Sequence, residues 1–215
     1  MRSLALLVLF AAAAAPAAAQ QKEPLPPFVA DVHGIFARHK DEPSVATELG
    51  VAAGNLPGHS FGLVAGAHGY ILRGRKVAIG FGGTLLYGGG SDTVETTNTD
   101  GSVTTSPTVR RHFRSINPEI SLNFGHKNGW SYISGGFGGR SRMYLDREDT
   151  PATGAPLRPT LTYGAGARWF ANNHVAFSVD VRWYSIAEQP ASLATNVQLE
   201  PRTTLLVLSG GISLK

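Results

Sequence analysis

The chain has 215 residues, no cysteine, 16% charged residues and a formal net charge of +4. Without cysteine there are no disulfides, thiolate zinc sites or cysteine nucleophiles. The mild positive balance comes with no basic cluster that reads as a nucleic-acid site, and it selects no partner by itself.

The first element is an export signal. Arg2 supplies a positive start, Leu4 to Phe10 and Ala11 to Ala15 form an apolar core, and Ala17-Ala18-Ala19 is a small-residue cleavage site. This pattern predicts a signal peptide over 1–19 and a single mature domain over 20–215. The alternative is a retained anchor, but the apolar run stops at Pro16, short of the about 20 residues a spanning helix needs. No later stretch is apolar enough to form such a helix.

The rest alternates with period two, the signature of strands. Eight strands are predicted, at 28–39, 60–73, 76–87, 109–125, 130–144, 158–170, 174–185 and 202–214. In the third, Val77, Ile79, Phe81, Leu85 and Tyr87 oppose small residues. In the fourth, Ile116, Pro118, Ile120, Leu122 and Phe124 oppose Asn117, Glu119, Ser121 and Asn123. In the sixth, Leu161, Tyr163, Ala165, Ala167 and Trp169 oppose a face that includes Arg168. The seventh is the clearest: Val175, Phe177, Val179, Val181 and Trp183 oppose Ala176, Ser178, Asp180, Arg182 and Tyr184. In the last, Leu206, Leu208, Ile212 and Leu214 share a face, with Leu205 and Val207 as exceptions on the other. Successive strand side chains point to opposite faces, so each strand has one apolar and one polar or small face.

The connections alternate as well. Gly74-Arg75, His126 to Gly129 and Asn172-Asn173 are tight hairpins of residues that tolerate positive φ. The other four, at about 40–59, 88–108, 145–157 and 186–201, are long and polar, and the second is expected to be mobile. Short turns at one end, long loops at the other and an even strand count describe a transmembrane barrel. A soluble barrel with the apolar face inward satisfies the alternation equally well. The membrane reading is preferred because the polar faces carry few charges, because closure leaves no strand edge in hydrocarbon, and because aromatics fall into two groups. Phe28, Phe124, Trp130 and Trp169 lie near the short turns, and Tyr87, Phe113, Tyr144 and Trp183 lie toward the long loops.

With its signal, eight alternating strands and turn pattern, the chain resembles the small outer-membrane barrels of the OmpA/OmpX type over nearly all of residues 20–215. The resemblance implies an all-β, eight-stranded antiparallel up-and-down transmembrane β-barrel. It also implies outer-membrane lipid and lipopolysaccharide, the barrel assembly machinery and an extracellular ligand at the long loops as partners. The chain ends Ile212-Ser213-Leu214-Lys215, where such barrels often end in an aromatic residue.

By parity the lumen holds Asp31, His33, His68, Tyr70, Asn117, Glu119, Asn123, Arg168, Asp180 and Arg182, with Arg140 and Arg142 as further candidates. Ionised groups there must be paired, so a structural polar network is expected; a polar path for small solutes is the alternative. Enzymatic readings are weaker. His174, Ser178 and Asp180 share a strand face, but residues four apart on a strand are about 13 Å apart. A lipid A-modifying site needs His and Ser at a rim, and His112 has no evident serine partner. The histidines show no metal-ligand spacing, with His33 and His39 about 20 Å apart. The glycine run Gly135 to Gly139 has no following helix and serves barrel curvature. Arg110, Arg111 and Arg114 beside a long loop suit a partner or lipopolysaccharide phosphates. No catalytic, cofactor or metal residue is assigned.

Overall fold

A computed structural model describes residues 25–40, 43–74, 76–93, 95–97, 100–105, 107–149, 155–188 and 202–215. The export signal expected over 1–19, residue 75 of the first tight turn, and most of the 186–201 connection lie outside these residues.

The strands are β1 (Phe28–Arg38), β2 (His59–Arg73), β3 (Val77–Asp92), β4 (Glu95–Thr97), β5 (Val103–Thr105), β6 (Val109–His126), β7 (Gly129–Arg147), β8 (Arg158–Phe170), β9 (Val175–Ile186) and β10 (Thr203–Leu214). Eight of them close a barrel in the order β1-β10-β9-β8-β7-β6-β3-β2, with every neighbour antiparallel. β1 pairs with both β2 and β10, so the sheet has no free edge, as a backbone in hydrocarbon requires.

The faces are inverted relative to a soluble barrel. Leu63, Phe81, Leu85, Ile120, Phe177 and Leu208 are exposed on the outer wall, whereas Asp31, Glu119, Arg168 and Arg182 are buried within. This distribution fits a lipid-facing exterior and excludes the soluble alternative, which would place the aliphatic face inside.

The lumen is not polar throughout. Ile35, Leu86, Phe113, Met143, Leu205 and Val207 pack with Tyr184 in an apolar layer toward the long loops. Leu25, Val29, Tyr70, Ala78, Trp130 and Tyr132 form a second layer toward the short turns. Two of the aromatics expected in the girdles are therefore luminal. Phe113, at an odd position on β6, shares the inward face of Asn117 and Glu119, and Trp130 shares that of Tyr132.

A bulge changes the parity of β7. Ile116 pairs with Arg140 but Ile120 with Gly135, so β7 spends one residue more than its partner. Gly138 has φ +82°, and Phe137 is 88% exposed. An extra residue in one strand re-aims every side chain beyond it. Arg140 and Arg142, expected in the lumen, stand on the outer wall instead.

Two long connections are more ordered than expected. The 40–59 connection carries helix α1 (Pro43–Glu48) and a 3-10 turn (Ala53–Asn55). Ala46 and Leu56 pack with Val109, flanked by Leu49, Val51 and Leu145, and Arg147 Nη1 donates to the Leu49 carbonyl at 2.6 Å. The segment thus folds as a cap at the loop end of the barrel. In the 88–108 region β3 and β6 stay paired out to Asp92 and Val109, and β4 and β5 form a small hairpin beyond them.

Candidate functional site

Between the two apolar layers the interior is a charged network. Arg168 on β8 reaches Asp31 on β1 through two parallel hydrogen bonds, Nε to Oδ1 at 3.0 Å and Nη2 to Oδ2 at 2.7 Å. This planar fork geometry is what guanidinium supplies and ammonium does not. Ser213 also donates to Asp31 Oδ1, and the Arg168 guanidinium lies 4.3 Å from the Tyr132 ring centre. Arg182 on β9 lies 2.6 Å from Glu119 and donates to Asp180 and to Ser134 Oγ. Tyr132 donates to Asp180 at 2.9 Å, and Thr84 to Glu119 at 2.9 Å. His33 bridges Ser178 Oγ (2.6 Å) and Ser209 Oγ (3.2 Å).

Of the residues placed in the lumen from sequence, Asp31, His33, His68, Glu119, Arg168, Asp180 and Arg182 therefore come together. Tyr70 is buried but belongs to the apolar layer by the short turns, edge-on to Trp130. Asn117 and Asn123 bond the hydroxyls of Ser115 and Ser121 on their own strand. In the central layer three carboxylates, Asp31, Glu119 and Asp180, face two arginines. His68 stands between, Nδ1 4.0 Å from Asp31 and Nε2 3.6 Å from Glu119.

These contacts cross a strand over glycine. The register runs His68–Gly82–Glu119, Tyr132–Gly166–Asp180 and His33–Gly211–Ser178. In each case the middle strand offers no side chain, so the outer two can meet. A Cβ at Gly166 would sit 2.4 Å from Tyr132 Oη, and one at Gly211 would sit 2.9 Å from His33 Cδ2. Sequence reasoning missed these pairs because barrel closure and register, not spacing along the chain, bring them together.

What remains open within the network is a cavity of about 30 Å³ lined by Asp31, His33, His68, Arg168, Asp180 and Arg182 among others. That holds a water or two and no larger solute. The Ser178–His33 contact does not make a triad. Asp31 approaches the same His33 nitrogen, Nε2, at 3.9 Å, whereas an orienting acid must hold the other one. His174 is exposed at the short turn, where its backbone N–H donates to Asn172 Oδ1. Among the described residues no group of three His, Asp or Glu side chains is arranged to hold a metal ion.

At the loop end, His39 is buried just past β1. Its Nε2 meets Ser60 Oγ at 2.8 Å, its backbone N–H donates to Gly58, and Arg111 Nε donates to Pro57. Burial, then the neighbouring Arg111 and His59 charges, push its pKa down to about 3 from 6.5. A depressed histidine pKa means that the folded cap refuses a proton which the undocked chain accepts. Cap stability is therefore complete above pH 6.5 and declines as pH falls from there toward about 3. Limited proteolysis within 40–58 should accelerate across that window, and much less so in His39→Gln.

No protein-family model matches the chain, and no curated protein matches it. Solved structures do. Neisserial surface protein A superposes with a TM-score of 0.51 at 12% identity, covering 88% of this chain and 97% of that one. OprG from Pseudomonas aeruginosa gives 0.49 at 10% identity, covering 89% and 96%. Ail of Yersinia pestis gives 0.44 at 9% identity, covering 87% and 95%. At such identities the likeness speaks of fold alone. Strand number, closed up-and-down topology and inverted faces together make the chain an outer-membrane β-barrel with the fold of the small OmpA/OmpX-type proteins.

Proposed function

We propose that the chain is a non-conducting, non-enzymatic surface barrel, which fixes a structured loop end at the outer face of the membrane for adhesion or another surface interaction. The observation that carries this reading is the filled lumen: an apolar layer, an ion-paired layer and a second apolar layer in series, with a cavity of about 30 Å³ within the ion-paired layer. An eight-stranded interior is just wide enough for side chains to fill. The built-up end supports the surface role, since cap, extended β3–β6 ribbon and β4–β5 hairpin all lie on the side of the long loops. Outer-leaflet lipid and lipopolysaccharide, the assembly machinery that inserts barrels, and an extracellular ligand at these loops are the partners. Residues 1–19 act as the export signal. A lipid A-modifying activity is disfavoured because His112, the rim histidine, stacks on Tyr144 at 4.6 Å and faces Asp146 at 3.4 Å rather than a serine.

Planar-bilayer recording of the refolded protein tests the reading. The expected result is electrical silence, with the protein still showing the gel mobility shift between unheated and boiled samples that marks a folded barrel. Sustained single-channel steps from the heat-modifiable form would transfer the reading to a narrow solute channel.

A further inference from the structure

The β7 bulge has a consequence on the outer wall. Two successive rungs run across β3, β6 and β7: Leu85–Ile116–Arg140 and then Tyr87–Arg114–Arg142. Leu85, Ile116 and Phe137 are exposed near the loop ends of these strands, and the exposed Tyr87 follows Leu85 on the rung of Arg114 and Arg142. The arginines therefore lie toward the loop end of the outer wall, level with the last exposed apolar and aromatic side chains of these strands. Arg114 and Arg142 are direct cross-strand partners of like charge, an arrangement that destabilises a sheet unless something neutralises it. Among the described residues no carboxylate forms an ion pair with Arg114, Arg140 or Arg142. Arg114 lies 4.9 Å from the Tyr87 ring centre, and Arg140 bonds only a backbone carbonyl.

A groove adjoins this cluster. It has a volume of about 310 Å³, with bare backbone from Gly88 to Gly90 and Tyr87, Arg110 and His112 along its sides. Aromatic edge, open backbone and guanidinium groups suit a sugar carrying phosphate. Arg140 and Arg142, two apart on one strand, are spaced by roughly 7 Å, so one phosphate can bridge their flexible side chains and Arg114.

We propose that this wall is a binding site for the phosphorylated sugar headgroup of an outer-leaflet lipid. The phosphate is held by Arg114, Arg140 and Arg142, and the sugar lies along the glycine-floored groove against Tyr87. The bulge at Gly138 creates the site by turning Arg140 and Arg142 outward. The inference rests on the outer-membrane placement and deepens the lipopolysaccharide contact proposed above.

The experiment uses the full-length refolded barrel in phosphatidylcholine vesicles. Labelled lipid A and its dephosphorylated form are the probes, and retention on the repurified protein is the readout. The native chain should retain lipid A at least about tenfold more tightly than the dephosphorylated lipid. The variant carrying Arg114→Gln, Arg140→Gln and Arg142→Gln should lose that preference while keeping its heat-modifiable mobility. If the triple variant does not fold, Arg140→Gln and Arg142→Gln are read singly, each with a partial loss. Equal retention of both lipids, or an unchanged preference in folded variants, overturns the site. Displacement of lipid A by inorganic phosphate alone overturns the lipid assignment, since the site would then take a free anion. Failure of the native chain to give a heat-modifiable form in vesicles overturns the membrane placement itself, and the site with it.

Discussion

Replacing Arg168 by Met should destabilise the folded barrel by about 3–5 kcal/mol, the cost of leaving a buried partner charge uncompensated. Arg168 is 2% exposed, and its fork fills both oxygens of Asp31, itself buried on the strand that closes the barrel against β10. Without Arg168, Asp31 keeps Ser213, His33 at 3.9 Å and His68 at 4.0 Å, none of which carries a permanent positive charge. The loss should be measured by reversible urea unfolding in lipid vesicles, with tryptophan fluorescence as the probe. Adding Asp31→Asn to Arg168→Met should recover a large part of it, because removing both charges of a buried pair costs far less than removing one. A single-variant loss below about 1 kcal/mol would mean that the network redistributes around Asp31. The pair would then be an incidental feature of the interior and not its closure.

Much of this architecture is written in the sequence because a barrel strand has only two faces. Period-two alternation over Val77 to Tyr87 and His174 to Tyr184 predicts which side chains face lipid, and the structure places Phe81, Leu85, Phe177 and Val179 there. The same parity puts Asp31, Glu119, Arg168, Asp180 and Arg182 on inward faces, where the structure buries them. The equally buried Arg111 and Arg158 are not among the residues it assigns to the lumen, and on β7 it fails. There a single extra residue at the Gly135 to Gly139 run reverses the sense of Arg140 and Arg142. The glycines that hide the bulge carry no side chain whose hydropathy could reveal it. The cap was illegible for another reason: α1 spans six residues, under two turns, too short for a helical period to emerge from Ala46, Leu49 and Val51. The cross-strand meetings of His33 with Ser178 and of His68 with Glu119 depend on register, which follows from closure of the whole sheet and not from any local pattern.

Register is also why Gly82→Val should be as damaging as the loss of a charge. Gly82 lies on β3 between His68 and Glu119, and a Cβ there would sit 2.0 Å from the Ala67 carbonyl oxygen, 2.8 Å from His68 Cα and 2.7 Å from His68 Cδ2. Two of those atoms are backbone and cannot rotate away, so β2 and β3 must part for any side chain to fit. Parting them separates His68 from Glu119 and strains a seam that is equally tight at Gly62 and Gly90, where a Cβ would meet Tyr87 O at 2.1 Å and His59 O at 2.0 Å. The expected cost is about 3 kcal/mol or more, at the upper end of what overpacking a well-filled interior incurs. It should be visible as loss of the heat-modifiable band at urea concentrations the native protein survives. Gly69→Ala is the control on the neighbouring strand: nothing lies within 4 Å of its Cβ position, and it should fold with native stability. Adding His68→Ala to Gly82→Val separates two causes. No recovery means that the approach of the two backbones sets the cost, and the glycines hold the barrel narrow. Full recovery means that the imidazole alone occupies the space, and the seam has slack which the charged network does not need.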